Sequence, residues 1–118
     1  MARYTFRKEE RICLKADFQR ISRKGAKYRS PYFRVSICRN SLPHRRLGIT
    51  VGKIVGSAVQ RNRLKRLIRE FFRQNRELLP GSSDLVITAK EGAASLDFWQ
   101  VFEELKGLFM ELGSFNGR

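Results

Sequence analysis

The sequence has few of the residues from which protein active sites and membrane segments are built. Its 118 residues include one histidine, two cysteines and 11 acidic residues, against 25 lysines and arginines. Cys13 and Cys38 lie 25 positions apart, which matches no metal-ligand spacing, so we expect two reduced thiols. No apolar run is long enough for a membrane span or a signal peptide, so we expect a cytoplasmic protein with no membrane partner.

The acidic residues are scattered, and this argues against a nuclease site within the chain. A metal-dependent nuclease needs clustered carboxylates, and acid–base catalysis commonly uses a pair of histidines. The single histidine, His44, lies in a predicted turn. The adjacent Glu103 and Glu104 would point about 100° apart on a helix. We therefore expect no catalytic residue here, although folding could gather acids that are distant in sequence.

Positive charge is concentrated in the first two-thirds of the chain. Residues 1–76 contain 22 basic and 4 acidic side chains, whereas residues 77–118 contain 3 basic and 7 acidic ones. This asymmetry indicates a polyanionic partner that meets one part of the molecule. A nucleic acid is the first candidate and an anionic membrane surface the second.

Hydrophobic periodicity predicts one α+β domain with the element order α-β-β-α-β-α. We expect three helices and three strands, at residues 15–24, 57–75 and 97–112 and at residues 32–38, 46–52 and 84–90. The strands at 32–38 and 46–52 are predicted to pair as antiparallel neighbours across a link that contains Asn and Pro. One face of this sheet is half polar and should be open to solvent or to a partner. Residues 1–13 are expected to form a flexible basic arm of this single domain, 1–118.

The segment AVQRNRLKRLIREFFRQNR, residues 58–76, combines an apolar stripe with a basic face. On a helical projection the stripe spans about 100° and contains Leu64, Leu67, Ile68 and Phe71. The opposite side contains Asn62, Arg66, Arg69, Arg73 and Arg76. A solvated surface usually mixes both signs of charge, whereas this face repels itself unless a polyanion binds. The segment therefore predicts a nucleic-acid interface, in which Asn62 either contacts a base or sugar or is simply exposed near the helix start.

Around this helix the sequence resembles the protein subunit of bacterial ribonuclease P, the ribonucleoprotein that removes 5′ leaders from precursor tRNA. In the matching segment RLGITVGKIVGSAVQRNRLKRLIREFF, Arg-Asn-Arg begins a basic helix after a Gly-x-x-Val strand. ADFQRISRKG upstream and DLVITAK downstream extend the match over most of the chain. The resemblance implies a ribosomal S5 domain 2-like two-layer sandwich, α-β-β-(β)-α-β-α. It also implies a left-handed βαβ crossover through the basic helix, against the usual right-handed preference.

The resemblance implies three functional surfaces. The region of the basic helix would bind the catalytic RNA. The residues expected to contact this RNA are Arg46, Lys53, Arg61, Asn62, Arg63, Lys65, Arg66 and Arg69. A cleft between the first helix and the sheet would bind the single-stranded leader. The residues expected in this cleft are Phe18, Ser22, Tyr32, Arg34 and Ser36. A loop after the second helix is associated with metal ions in the family. Mg²⁺ is the expected cofactor, held mostly by the RNA, and no organic cofactor is expected.

The expected leader cleft departs from the family pattern. Ser22 and Ser36 stand where many relatives have aromatic residues, and Ile54 replaces a frequent second lysine after Lys53. Phe18 matches a cleft aromatic, but its helical spacing from Ile21 is also that of an ordinary core residue. Base stacking contributes roughly 1–3 kcal/mol per base, so the missing rings predict weaker leader binding.

Taken together, the resemblance implies an RNA-binding subunit of an endoribonuclease whose RNA component performs catalysis. Its expected partners are ribonuclease P RNA and precursor tRNA, with no obligate protein partner. The alternatives are a ribosomal protein, an autonomous protein nuclease, a membrane-surface helix and a DNA-binding domain. The apolar stripe is needed for the core, which disfavours the membrane helix, and no helix-turn-helix pattern precedes the basic helix.

Overall fold

The protein is described as a computed structural model covering residues 10–78 and 81–112. Four strands of the described chain form one mixed sheet against which three helices pack. The elements are α1 Lys15–Lys24, β1 Ala26–Arg29, β2 Phe33–Arg39, β3 Arg46–Thr50, α2 Ala58–Gln74, β4 Ser83–Ala89 and α3 Phe98–Leu112. This order confirms the α+β class, and β1 is the additional short strand.

The sheet order is β1-β2-β4-β3, so the prediction that the strands at 32–38 and 46–52 are neighbours is wrong. β4 lies between them, antiparallel to β2 and parallel to β3. Its consecutive residues Leu85, Val86 and Ile87 are all buried. A strand that is apolar on both faces needs cover on both sides and a neighbour at each edge, which only a central position supplies. Pairing β2 directly with β3 would have left this strand at the margin.

Two apolar clusters lie on opposite faces of the sheet. The larger one fills the space between the sheet, α2 and α3, and its fully buried members include Phe33, Leu64, Phe71, Ile87 and Phe109. The smaller one lies beneath α1 and consists of Ile12, Ile21 and Val86, with Phe18 and Cys38 packed against it. Successive side chains of a strand point to opposite faces, which is why Val86 and Ile87 belong to different clusters. α1 therefore covers part of the face that α2 and α3 leave open.

α2 connects the parallel neighbours β3 and β4, as the expected βαβ crossover requires. Its first residue follows a capping box, in which the Gln60 backbone N–H donates to Ser57 Oγ at 3.2 Å and the Ser57 N–H donates to Gln60 Oε1 at 2.9 Å. Asn75 caps its last turn. Both ends agree with the predicted helix at 57–75. A second capping box, between Asp97 and Gln100, starts α3.

The described part of the N-terminal segment lies beside β3. Residues 1–9 of the expected arm lie outside the described residues. The Ile12 backbone N–H donates to the Leu47 carbonyl at 2.9 Å, and Arg11 forms a parallel bridge with Leu47. Ile12 is buried beneath α1, and Glu10 pairs with Arg76 beyond the end of α2. This segment therefore covers the outer edge of β3.

Candidate nucleic-acid interface

The first three turns of α2 present an unpaired basic face. Asn62, Arg66 and Arg69 are exposed and Lys65 is half-buried. None of these four side chains forms a hydrogen bond or ion pair with another described residue. Together with Val59 they line a shallow groove of about 500 Å³ along the helix. We call this groove the α2 groove, and its donors are available to phosphates.

The basic face is shorter than the helical projection indicated. Arg73 pairs with Glu70, with Arg73 Nε donating to Glu70 Oε1 at 3.1 Å. The hydrogen bond from Arg73 is the main reason why the pKa of Glu70 lies below its ordinary value. Arg76 donates from Nε and Nη2 to the Glu10 carboxylate at 2.6 and 2.7 Å. These two arginines therefore already have acidic partners, and the unpaired face ends at Arg69.

The two arginines of the Arg-Asn-Arg motif brace the start of α2. Arg61 Nε donates to the Gly56 carbonyl at 3.2 Å, and Arg63 Nη2 donates to the Leu96 carbonyl at 3.0 Å. A guanidinium has five N–H donors, so one backbone contact leaves others for a ligand. Lys53 is exposed in the turn before the helix. These cations surround a helix N-terminus, where the backbone itself attracts anions.

Arg46, assigned to RNA contact from the resemblance, does not line the α2 groove and binds a buried carboxylate. Its Nε and Nη2 atoms donate to the two oxygens of Asp84 at 2.8 and 2.7 Å. Arg20 of α1 donates to Asp84 Oδ2 at 2.6 Å, and Asn40 Nδ2 donates to Oδ1 at 2.8 Å. Asp84 is fully buried, so this carboxylate joins α1, β3, β4 and the loop after β2.

Electrostatics keep Asp84 ionised. Burial would raise the pKa of its carboxyl group, but hydrogen bonds from Arg46, Asn40 and Arg20 outweigh burial and hold the pKa below its ordinary value. The hydrogen bond to Asp84 in turn raises the pKa of each arginine. Sequence reasoning missed this cluster. An acid that begins a buried central strand was a usable signal, but its partner Arg46 becomes evident only when the β3–β4 register is known.

Phe18 lies over β3 at a position where only glycine leaves room for it. A Cβ atom added to Gly48 would come within 2.7 Å of the Phe18 ring. The ring packs on the smaller cluster but remains half-buried. It therefore combines the core role with an accessible surface, so the two interpretations of its spacing are compatible.

An uncovered strip of the sheet lies on the α1 side. Register places four polar side chains in one row across the strands, namely Arg29, Arg34, Thr88 and Thr50. We call this row the open strip. Ser22 is exposed and, four residues after Phe18, lies on the same side of α1, away from Asp17 and Arg20. Phe18, Ser22 and Arg34 thus belong to one face of the molecule.

Two residues expected in the leader cleft, Ser36 and Tyr32, are not exposed on the open strip. Ser36 faces the α1 side but is only 5% exposed. Tyr32 precedes β2 and packs against the larger cluster, with its ring next to Gly92. Its backbone N–H donates to Glu104 Oε2 at 2.7 Å. The structure therefore does not bring Tyr32 to the open strip.

The described residues contain no cluster of the side chains that most often bind a metal ion. Residues 10–78 and 81–112 contain no group of three or more His, Cys, Asp or Glu side chains that could hold a metal ion. In the loop after α2, residues 79–80 lie outside the described ranges. None of the helices in these ranges is long and apolar enough to cross a bilayer.

An α+β fold whose parallel strands are joined through a helix with an unpaired basic face is suited to a nucleic-acid-binding domain. Comparison with known proteins specifies which one. A family model described as Ribonuclease P matches residues 6–113. The chain belongs to the ribonuclease P protein family, the protein component of an endoribonuclease complex that also contains an RNA.

Individual relatives agree over nearly the whole chain. The ribonuclease P protein component of Desulforapulum autotrophicum is 41% identical over 112 residues, covering 95% of this chain and 96% of that protein. The solved RNase P protein of Staphylococcus aureus superposes with a TM-score of 0.83 at 36% identity, covering 91% of this chain and 98% of that one. The Thermotoga maritima protein gives a TM-score of 0.78 at 36% identity, covering 86% and 96%. These matches confirm the family and the fold class.

Proposed function

We propose that this chain binds ribonuclease P RNA through the α2 groove and the 5′ leader of precursor tRNA through the face formed by α1 and the open strip. The observation that carries the proposal is the α2 groove itself. Four neighbouring polar and basic side chains point outward there, and none has a partner among the described residues. A polyanion would relieve their mutual repulsion and release its counterions.

The mechanism is electrostatic and positional. Cations along α2 neutralise close-packed phosphates of a folded RNA, and this lowers the Mg²⁺ concentration at which the complex acts. Mg²⁺ itself is assigned to the RNA, since the described residues provide no ligand cluster. Bond cleavage is assigned to the RNA component in the cytoplasm.

The face formed by α1 and the open strip, which we call the leader face, distinguishes precursor from product. Phe18 offers a half-buried ring for stacking, and Arg34 and Arg29 offer exposed donors for phosphates. The mature product has lost its leader and forfeits these contacts, so precursor binds more tightly than product. With serine at position 22, this face has fewer rings than the family pattern.

The test is cleavage of a leader-bearing precursor tRNA at low Mg²⁺ by the protein, by bacterial ribonuclease P RNA, and by both. We expect cleavage at the mature 5′ end only when both are present. Replacing Arg66 and Arg69 with alanine should raise the required Mg²⁺ concentration, whereas replacing the exposed Lys106 of α3 should not. Cleavage by the protein alone, or no effect of the protein on the RNA, would contradict the proposal.

A further inference from the structure

The outer surface of α3 carries large apolar side chains that the fold leaves exposed. α3 supplies three of the six such residues in the described part of the chain, namely Phe98, Trp99 and Met110. Trp99 is 72% exposed and Met110 63%. A single exposed apolar residue is ordinary, whereas several on one helix indicate a contact surface.

Two of these residues belong to a straight stripe along α3. Trp99, Glu103, Lys106 and Met110 are separated by four, three and four positions, which is the spacing of a coiled-coil seam. On a helical projection they lie within about 60° of one another, on the side away from the buried Leu105. Glu103 and Lys106 are exposed, and neither pairs with another described residue. We call these four residues the α3 stripe.

The Trp99 ring is held in place by its neighbours. Its centroid lies 5.1 Å from that of Phe98 in an edge-on contact, and Phe98 stacks on Phe102 at 4.3 Å. Phe102 in turn meets the buried Phe71 of α2 edge-on at 5.2 Å. A partner that covers Trp99 therefore gains its apolar area with little loss of side-chain freedom.

The charge of α3 indicates which partner fits the stripe. α3 contains three glutamates and one lysine, so its surface would repel an RNA rather than attract it. A second copy of α3 is complementary when it runs antiparallel across a twofold axis, because residue i then meets j while j meets i. With the axis between positions 104 and 105, Trp99 faces Met110 and Glu103 faces Lys106, each twice. Sulfur–aromatic contacts and opposite charges both favour these pairs.

We propose that this protein forms a twofold dimer through the antiparallel contact of two α3 stripes. The dimer does not require RNA, so it goes beyond the proposed function. It leaves the α2 groove free, because the residue through which α2 packs on α3, Phe71, does not line that groove. An α3 of 15 residues is about 22 Å long, which gives a smaller contact than permanent dimers have. We therefore expect a dissociation constant of about 10–100 µM, and measurements well below it report on the monomer.

Sedimentation equilibrium of the full-length protein, from about 5 to about 500 µM, brackets this dissociation constant. Trp99→Ala should weaken the dimer by roughly tenfold or more, because a central aromatic residue dominates the energy of a small interface. Leu14→Ala is the matched control, since it removes an exposed apolar side chain beside α1, and it should leave the dimer unchanged. A protein that stays monomeric throughout, or a dimer that Trp99→Ala does not weaken, would overturn the proposal.

Charge reversal tests the antiparallel register. Glu103→Lys and Lys106→Glu each create two pairs of like charge and should weaken the dimer roughly 3- to 10-fold at low salt. The double variant restores both pairs in reverse and should return to within about twofold of the wild type. An equal mixture of the two single variants should also dimerise, since each copy then meets opposite charges. Failure of the double variant and of the mixture to recover would overturn the register.

Trp99 is the single tryptophan of the chain, so its fluorescence reports on the stripe directly. Its emission should move to shorter wavelength as the protein concentration rises, and this shift should follow the sedimentation curve. The same shift in dilute, monomeric protein on addition of ribonuclease P RNA would instead assign the stripe to RNA and overturn the dimer.

Discussion

Two groups of arginines in this molecule have the same chemistry and opposite surroundings. Arg66 and Arg69 extend from α2 without a partner among the described residues. Arg20 and Arg46 converge on the buried carboxylate of Asp84. A carboxylate within reach makes the second pair part of the fold, and the lack of one leaves the first pair for an external polyanion. Net charge therefore overstates the binding surface, since part of it is neutralised internally.

The largest effect is expected at the centre of the internal group. Asp84→Asn would leave two guanidinium groups facing a neutral amide at a fully buried position. Loss of one member of a buried ion pair costs about 3–5 kcal/mol. Arg20 is 36% exposed and can turn to water, so we expect about 3 kcal/mol. Chemical denaturation measures this, with the exposed Glu103→Gln as control, and equal stability of the two variants would show that the cluster is dispensable.

Arg46→Ala and Arg66→Ala should distinguish the paired arginines from the unpaired ones, because the first variant should change stability and the second should change RNA binding. Loss of the paired Arg46 should lower the free energy of unfolding by about 1.5–3 kcal/mol, the range for hydrogen bonds to charged groups. Loss of the exposed Arg66 should leave stability within about 0.5 kcal/mol. It should instead reduce the salt slope of RNA binding by about 0.7–0.9.

Stability and RNA titrations at several salt concentrations, made on both proteins, test this separation. A reduced salt slope for folded Arg46→Ala would place Arg46 on the RNA, as the resemblance implies, and would contradict a purely structural role for this arginine.

Low pH should remove the contribution that the ionised Asp84 makes to the free energy of unfolding. The pKa of Asp84 is lower in the folded protein than in the unfolded chain, so the unfolded chain binds more protons as the pH falls. The stabilisation is complete above the unfolded value of about 3.9 and is lost as the pH falls towards the folded pKa. Denaturation between about pH 5 and pH 2 should give a shallower dependence for Asp84→Asn than for the wild type, and parallel curves would contradict this.

The sequence predicted the elements better than their arrangement. α1 spans the predicted residues 15–24, and α2 agrees with its predicted bounds within a residue at each end. These features are local, because helix caps and apolar stripes act within a few turns. The position of β4 between β2 and β3 is not local. It follows from the need to cover a strand that is apolar on both faces. A rule that pairs strands adjacent in sequence takes no account of this need.

The candidate site likewise contains features that local sequence predicts and features that depend on the tertiary structure. Asn62, Arg66 and Arg69 were found from helical spacing alone, and the structure leaves them outward. The pairings of Arg46 with Asp84 and of Arg76 with Glu10 join residues that are distant in the chain. Such pairs depend on register and on the path of the N-terminal segment, so the projection of one helix could not reveal them.

The smallest expected effect concerns the leader face and the two serines that depart from the family pattern. Ser22 is exposed beside Phe18, so Ser22→Phe can add a ring without disturbing the core. Ser36 is buried, and a ring there would overpack the space beneath α1 at a cost of about 1–3 kcal/mol in stability. The missing ring is therefore recoverable at position 22 and not at position 36.

We expect Ser22→Phe to tighten binding of leader-bearing precursor tRNA by roughly fivefold, which corresponds to the lower end of base stacking. Affinity for leaderless tRNA should not change, because the proposed function places only the leader on this face. Gln19→Phe is the matched control, since it places the same ring on α1 but on the side away from the sheet. Equal tightening by both variants would mean that added hydrophobic surface acts without regard to position, and the leader would then have to be placed elsewhere than beside Phe18.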